Sequence, residues 1–433
     1  MAADKTTDKT TDNTARAPLM TLDEVLARVV AAAHAARITD VEALSTFGAL
    51  GRTLASDITS TLDVPPADNT SMDGYAMRAA DVPQPGVVLP VSQRIPAGVV
   101  GQPLLPGTAA RVFTGAQVPA GADCVVMQEQ CVAQPSNEGG LGSVVVNTVP
   151  AHGQWVRRQG EDVRFGAVVL RAGTRLTPQA LGLAAAVGAA QVNVVRRPRV
   201  ALFSTGDELV MPGEPLKPGA IYNSNRFTLR GLLEAAGCEV QDLGIVPDRL
   251  DATREALRAA AIGNDLILTS GGVSVGEEDH LRPAAAAEGH IALWQMAAKP
   301  GKPLAFGGVR RGTNDNAGEA LLIGLPGNPV SSFITFLLAV APVLRALQGG
   351  SGQWPVALPL RAAFDWPKPD KIRREFMRAR LNAEGQVELF PNQSSGVLTS
   401  AVWADGLIDN PAGCVIRPGD TVRFLPLATL IGA

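Results

Sequence analysis

Residues Thr269 to His280 read TSGGVSVGEEDH and follow the apolar run DLIL (Asp265 to Leu268), which has the character of a buried parallel strand. A glycine-rich turn at the carboxyl end of such a strand lets main-chain N–H groups approach an anion, so Ser270, Gly271, Gly272 and Ser274 form a phosphate-loop candidate. Glu277, Glu278 and Asp279 come next. Carboxylates beside a phosphate repel it unless a divalent cation stands between them, which points to metal-assisted phosphate chemistry; a solvated acidic turn is the plain rival. Three further stretches share this style. In STGDE, Ser204, Thr205 and Gly206 can hold phosphate oxygens while an acid, Asp207 or Glu208, serves a metal; a capped turn is the alternative. In KPGKP, Lys299 and Lys302 sit on a proline-stiffened turn, where a desolvated lysine-to-phosphate contact is worth roughly 1.5 to 3 kcal/mol and an exposed one little. In GLPGNPVSS, Pro326, Gly327, Asn328 and Pro329 set turns ahead of a helix whose amides can cap an anion, unless Ser331 or Ser332 merely caps that helix. Four such loops on one edge of one sheet favour a phosphate-bearing ligand.

Other acids are less telling. Asp73 in SMDGYA, the pair Thr114 and Gly115, and the run Gly160, Glu161, Asp162 read on spacing alone as ordinary turns. Asp248 in VPD most simply starts a turn or caps a helix beginning at Asp251.

The elements that must position these loops alternate strand and helix over residues 198–348. Strands are expected at Val200 to Phe203, Glu239 to Val246, Asp265 to Leu268, near Pro303 to Phe306 and at LLIGL. Helices are expected at Asn225 to Ala236, Asp251 to Ala261, Pro283 to Glu288 and Ser331 to Leu347. Right-handed crossovers would make this a three-layer, doubly wound α/β domain with its loops at one end. Upstream, Leu22, Val25, Leu26, Val29 and Val30 repeat at helical spacing behind Thr21, with Glu24 three residues on, the pattern of a capping box. That helix is expected to pack with residues 163–197, making residues 65–162, with short Val-rich runs broken by Gly and Pro, an inserted small β domain. Residues 349–433 read as a C-terminal β domain after a GGSGQWP linker, and residues 1–18 as a polar, disordered tail.

Composition excludes several functions. A net charge of −3 and an aromatic content of 4 % argue against nucleic-acid binding. Neither CxxC nor HExxH spacing occurs among the four cysteines and four histidines, so no zinc ribbon, disulfide framework or histidine-built metal site is expected. The apolar run Phe333 to Ala341 is too short to span a bilayer and meets Pro342, so a soluble cytoplasmic protein is the expectation.

Taken in order, SMDGYA, TGAQVPAGADCVVMQE, GEDV, STGDEL, YNSN, TSGGVSVGEEDH, KPGKP and GLPGNPVSS resemble the molybdopterin molybdenumtransferase family, the MoeA type also found as the E domain of gephyrin. The resemblance runs from about Leu19 to the C-terminus. It implies an elongated linker domain (19–64 and 163–197), the inserted β domain, the α/β molybdopterin-binding domain and a C-terminal β barrel. It also implies a homodimer whose cleft lies between subunits, so that Asp73, Thr114 and Asp162 face the α/β loops across the interface. The implied reaction is Mg2+-dependent insertion of molybdate into adenylylated molybdopterin with release of AMP. Glu208, Asp248 and Asp279 would position the cation, and Lys299 and Lys302 would hold phosphate or molybdate. Arg373, with Arg374 as the neighbouring alternative, and Ser395 match the family's anion pocket. Gln295 stands where some members carry a lysine, which implies a weaker anion site. Molybdopterin adenylyltransferases and acceptor molybdoenzymes are the implied protein partners. The rival readings are a molybdopterin carrier or gephyrin-like scaffold, and a molybdopterin adenylyltransferase; the SMDGYA region and the C-terminal domain argue against the last.

Overall fold

The computed structural model describes residues 19–137, 139–273, 280–312 and 318–431. The tail, Ser274, Glu277, Glu278 and Asp279 therefore lie outside the described residues. Two compact units are present, one formed by the chain up to Glu42 and from Val195 onward, the other by Ala43–Val194.

The first unit contains β1 (Leu19–Met20), α1 (Leu22–Ala35), β2 (Arg199–Thr205), α2 (Ser224–Ala235), β3 (Glu239–Val246), α3 (Leu250–Ala261), β4 (Leu266–Ser270), α4 (Leu281–Glu288), β5 (Gly289–Met296), β6 (Pro303–Arg310), β7 (Glu319–Leu325), α5 (Pro329–Thr335) and α6 (Ala341–Leu347). Its seven-stranded sheet has the order β1-β5-β6-β7-β4-β2-β3. Neighbours among β7, β4, β2 and β3 pair in parallel, as βαβ crossovers require. β6 is antiparallel to both β7 and β5. The sheet is thus mixed rather than wholly doubly wound, because the six residues 297–302 between β5 and β6 are too few for a crossover helix. Two reversals leave β5 pointing the same way as β7. The turn 297–302 consequently reaches the same edge as the loops after β2, β4 and β7.

Alternating residues of the strands face opposite layers. Ala201, Phe203, Ile267 and Leu322 pack with Leu257 of α3 and Ala284 of α4. On the other face α2 packs against α5, β2 and β3. α1 joins this unit too: its capping box forms as the sequence predicts, it packs on α6, and β1 extends the sheet with Leu19 opposite Gln295. The sequence reading expects this helix to pack with residues 163–197, whereas its apolar stripe Leu22, Val25 and Val29 is buried within the α/β unit, where α1 packs on α6 and β5.

The helix after β7 starts at Pro329 with Asn328 as its N-cap, so Ser331 and Ser332 are inside it and cap nothing. It continues through Pro342 to Leu347, as the sequence predicts, by way of a π-helical turn at Phe336–Val340. Proline lacks an N–H and crowds the carbonyl four residues back, here that of Leu338. The indole Nε1 of Trp354 donates to that freed carbonyl at 2.9 Å. The resulting helix Pro329–Leu347 is long and apolar enough to cross a membrane, yet 94 % of its most apolar window is buried inside the protein, as in a core helix.

β8 (Leu358–Arg361), β9 (Arg374–Leu381), β10 (Val387–Leu389), β11 (Gly406–Asn410) and β12 (Thr421–Pro426) follow. They give the order β9-β11-β12-β8, with Ala298–Lys299 on the outer side of β9, β10 also paired to β9, and an isolated bridge from Ala362 to Val387.

In the second unit, six strands between Gly74 and Val146 form one sheet around two apolar clusters. A third cluster joins Ala49, Leu54 and Ile58 to Val163, Leu176, Ala184 and Val194, so the six-stranded part is an insertion between the two halves of that core.

Candidate active site

β2 and β4 are adjacent, and their last residues set the floor of the site. Ser204 and Ser270 are opposite one another in register, and their buried hydroxyls lie 3.2 Å apart. The chain then turns sharply on both strands. Gly206 has φ +141° and Gly271 φ +91°, and a Cβ on Gly271 would stand 2.5 Å from the carbonyl oxygen of Thr205. Only glycine lets the two turns approach this closely.

A cleft of about 530 Å³ opens over this edge, lined by Thr205, Glu208, Asn223, Ser270, Gly271 and Asn328, with Tyr222, Asn225, Gly327 and Gly396 completing it. Asn225 Nδ2 donates to Gly327 O at 2.8 Å, tying the start of α2 to the turn after β7. Asn223 caps α2 by accepting from Arg226 N at 3.1 Å, which leaves its Nδ2 buried with no protein partner among the described residues. Thr205 Oγ1 is likewise buried and unpartnered. An orphaned buried polar atom costs about 1 to 3 kcal/mol, and both of these belong to residues that line the cleft.

The expected acids are partly assembled. Glu208 is exposed on the cleft wall. Asp248 N donates to Asp207 Oδ1 at 3.1 Å, joining the loops after β2 and β3; the N-cap of α3 is Arg249, not Asp248. Among the described residues no three His, Cys, Asp or Glu side chains converge on one point. Lys299 donates to buried Glu375 at 3.1 Å, while Lys302 is exposed. Pro326 is buried directly after β7.

From the C-terminal segment, Ser395 O accepts from Val330 N at 3.0 Å, which brings Gly396 to the cleft. Arg373 is engaged by Asp370 at 2.6 Å, and Arg374 by buried Asp409 at 2.7 Å. Arg378, absent from the sequence reading, differs from both. It is 1 % exposed, pairs with no carboxylate among the described residues, and donates to Ser394 O and Ser400 Oγ at 3.1 and 3.0 Å. Burial pulls its guanidinium down to about 10. The sequence signal was an arginine inside an otherwise inward-facing apolar run, Phe376 to Ala379.

In the second unit, Asp73 Oδ1 accepts from both the N–H and the hydroxyl of Thr114 at 2.7 Å, and these bonds hold its carboxyl below the usual range. Asp162 is exposed, with its N–H on Val64 O.

Family models match the chain along its length: the MoeA N-terminal region (domain I and II) over residues 20–188, a "Probable molybdopterin binding domain" over 201–346, and the MoeA C-terminal region (domain IV) over 359–427. The molybdopterin molybdenumtransferase of Haemophilus influenzae is 39 % identical over 407 residues, covering 91 % of this chain and 96 % of the relative. The chain belongs to the molybdopterin molybdenumtransferase (MoeA) family. A second molybdopterin molybdenumtransferase, from a Nostoc species, is 41 % identical over 402 residues, with 90 % of this chain and 89 % of the relative covered. Among solved structures, the molybdopterin biosynthesis MoeA protein of Pyrococcus horikoshii OT3 superposes with a TM-score of 0.77 at 30 % identity, covering 94 % of this chain and 99 % of that one. The carboxyl-edge cleft is lined chiefly by residues of the segment matched as a probable molybdopterin binding domain.

Proposed function

We propose that this enzyme inserts molybdate into adenylylated molybdopterin with release of AMP, in a Mg2+-dependent reaction at the carboxyl-edge cleft. The observation that carries the reading is the pair of orphaned donors, Thr205 Oγ1 and Asn223 Nδ2, on residues that line a polar cleft at the carboxyl edge of the sheet. The glycine turns at Gly206 and Gly271 let the chain bend sharply at the ends of β2 and β4, and the Ser204–Ser270 pair fixes those strand ends beneath the cleft. Lys299, held by Glu375 at one N–H, has two donors left for phosphate or molybdate.

Mg2+ fits the chemistry of the donors present, because it takes oxygen ligands and needs only one or two carboxylates beside substrate phosphates. Glu208 and Asp248 would hold it, together with Asp279. When bound, it would neutralise charge on the pyrophosphate during cleavage. Asp73, whose carboxyl the Thr114 N–H and hydroxyl hold below the usual range, would act as a catalytic carboxylate. The same reading makes the protein a cytoplasmic homodimer that receives its substrate from a molybdopterin adenylyltransferase and passes its product to acceptor molybdoenzymes.

The test is AMP release from adenylylated molybdopterin with Mg2+, with and without molybdate. Release that depends on molybdate is expected. Tight binding without release in either condition would favour a carrier.

A further inference from the structure

Glu375 is a buried carboxylate that the reaction just described does not use. It sits on β9 with only 2 % of its side chain exposed, against 43 % for Lys299. Its Oε1 accepts from Lys299 Nζ at 3.1 Å, its Oε2 from Trp366 Nε1 at 2.8 Å, and Asn410 Nδ2 lies 3.5 Å from Oε2. The backbones are joined as well, with Ala298 opposite Arg374 and Lys299 opposite Glu375 in a parallel pair. A carboxylate in a sheet interior beside Phe376 and Met377 is costly unless it is paired and hydrogen-bonded, and here its partners come from three separate segments.

We propose that Glu375 is a positioning residue acting through Lys299, aiming that ammonium at the anion held on the carboxyl edge; the inference rests on the reading of Lys299 as an anion-binding lysine. A lysine is a point charge on a flexible four-carbon stem, and much of its rotamer freedom is lost when it grips an anion. Glu375 removes part of that loss beforehand, because it is itself immobilised by Trp366. The turn carrying Lys299 is seated at a second point: Gly301 has φ +110°, and a Cβ there would lie against Thr335 Oγ1 of α5. The C-terminal sheet thereby contributes to the site through a residue that touches no substrate. Such preorganisation acts on binding more than on the chemical step, so it belongs in KM rather than kcat.

The experiment is a double-mutant cycle in the full-length chain with Glu375→Gln, Lys299→Met and the pair, reading kcat and KM for AMP release. Lys299→Met is expected to raise KM about 10- to 100-fold, as for a lost charge-assisted bond. Glu375→Gln is expected to raise KM about tenfold with kcat nearly unchanged, and to add nothing in the Lys299→Met background. Trp366→Phe, which leaves the carboxylate but frees its Oε2, is expected to give a smaller rise that also vanishes beside Lys299→Met. It keeps the test open if Glu375→Gln folds poorly. Equal losses from Glu375→Gln in both backgrounds would make the residue purely structural and overturn the proposal. A wild-type KM in Lys299→Met would instead overturn the assignment of Lys299. The same cycle read in affinity for inorganic pyrophosphate needs no turnover, so a failure of the insertion reaction itself is separately visible.

Discussion

Gly271 occupies a backbone region that side chains rarely enter, and its missing Cβ is what admits the Thr205 carbonyl. Gly271→Ala is expected to cost about 1 to 3 kcal/mol in denaturant unfolding, the usual range for a strained left-handed residue. An unchanged midpoint would mean that the two turns separate freely. A second prediction concerns acid. Burial pushes the Asp370 carboxyl up, but the Arg373 side chain and N–H and the Ile372 N–H outweigh it and hold it at about 2, below the ordinary 3.8. Because the folded value is depressed, this stabilisation is full above 3.8 and disappears as pH falls through about 2. Wild type should therefore exceed Asp370→Asn in stability at neutral pH, with the gap narrowing by about pH 3. A gap that stays constant into acid would show that the carboxylate gains nothing on folding. Both residues act through their backbone or charge environment, which is why Asp370 left no mark in the sequence while the glycine of a strand-end turn did.

The helix Pro329–Leu347 draws on a side chain from beyond its own end, since Trp354 supplies an N–H to the carbonyl that Pro342 cannot serve. Trp354→Phe keeps the ring but strands the Leu338 carbonyl, with an expected loss of about 1 to 3 kcal/mol in chemical denaturation. A loss no greater than that of a conservative surface change would mean the carbonyl finds another partner. This element also shows where sequence reading reached and stopped. Periodicity placed β3 at its observed bounds and the capping box placed the start of α1. The site loops were legible for the same reason, because glycines and prolines at strand ends mark local backbone geometry. The helix is expected through Pro342 to Leu347 and runs there, but the π-helical turn and the Trp354 bond that accompany the proline are tertiary features with no local sequence mark. β5 was missed because GHIALWQM lacks a strict two-residue alternation and begins directly at the end of α4. Glu375 was invisible for a related cause, because a charged residue in a strand looks solvated until its partners arrive from distant segments, and Arg378 showed only as an arginine within an apolar run.

At the scale of the whole chain, residues 43–194 contain three apolar clusters of their own. A fragment of those residues is expected to fold, giving a cooperative thermal transition by circular dichroism. A non-cooperative melt would show that its cores need the remainder of the protein. The other unit is discontinuous, and its two crossings are clasped on its own side, where Arg196 binds Asp40 and Asp265, each at 2.9 Å. That arrangement has a consequence for manufacture on the ribosome. The Ile38 N–H donates to Leu347 O, a partner that emerges roughly 15 to 60 s later at ~5–20 residues per second. Until then α1 has no α6 to cover its apolar stripe, whereas the inserted unit already holds everything its cores require. Nascent chains arrested shortly after residue 194 has left the exit tunnel should therefore resist protease within 43–194 and be cut within α1. Uniform cleavage across both would mean that the newest residues must be present before anything settles.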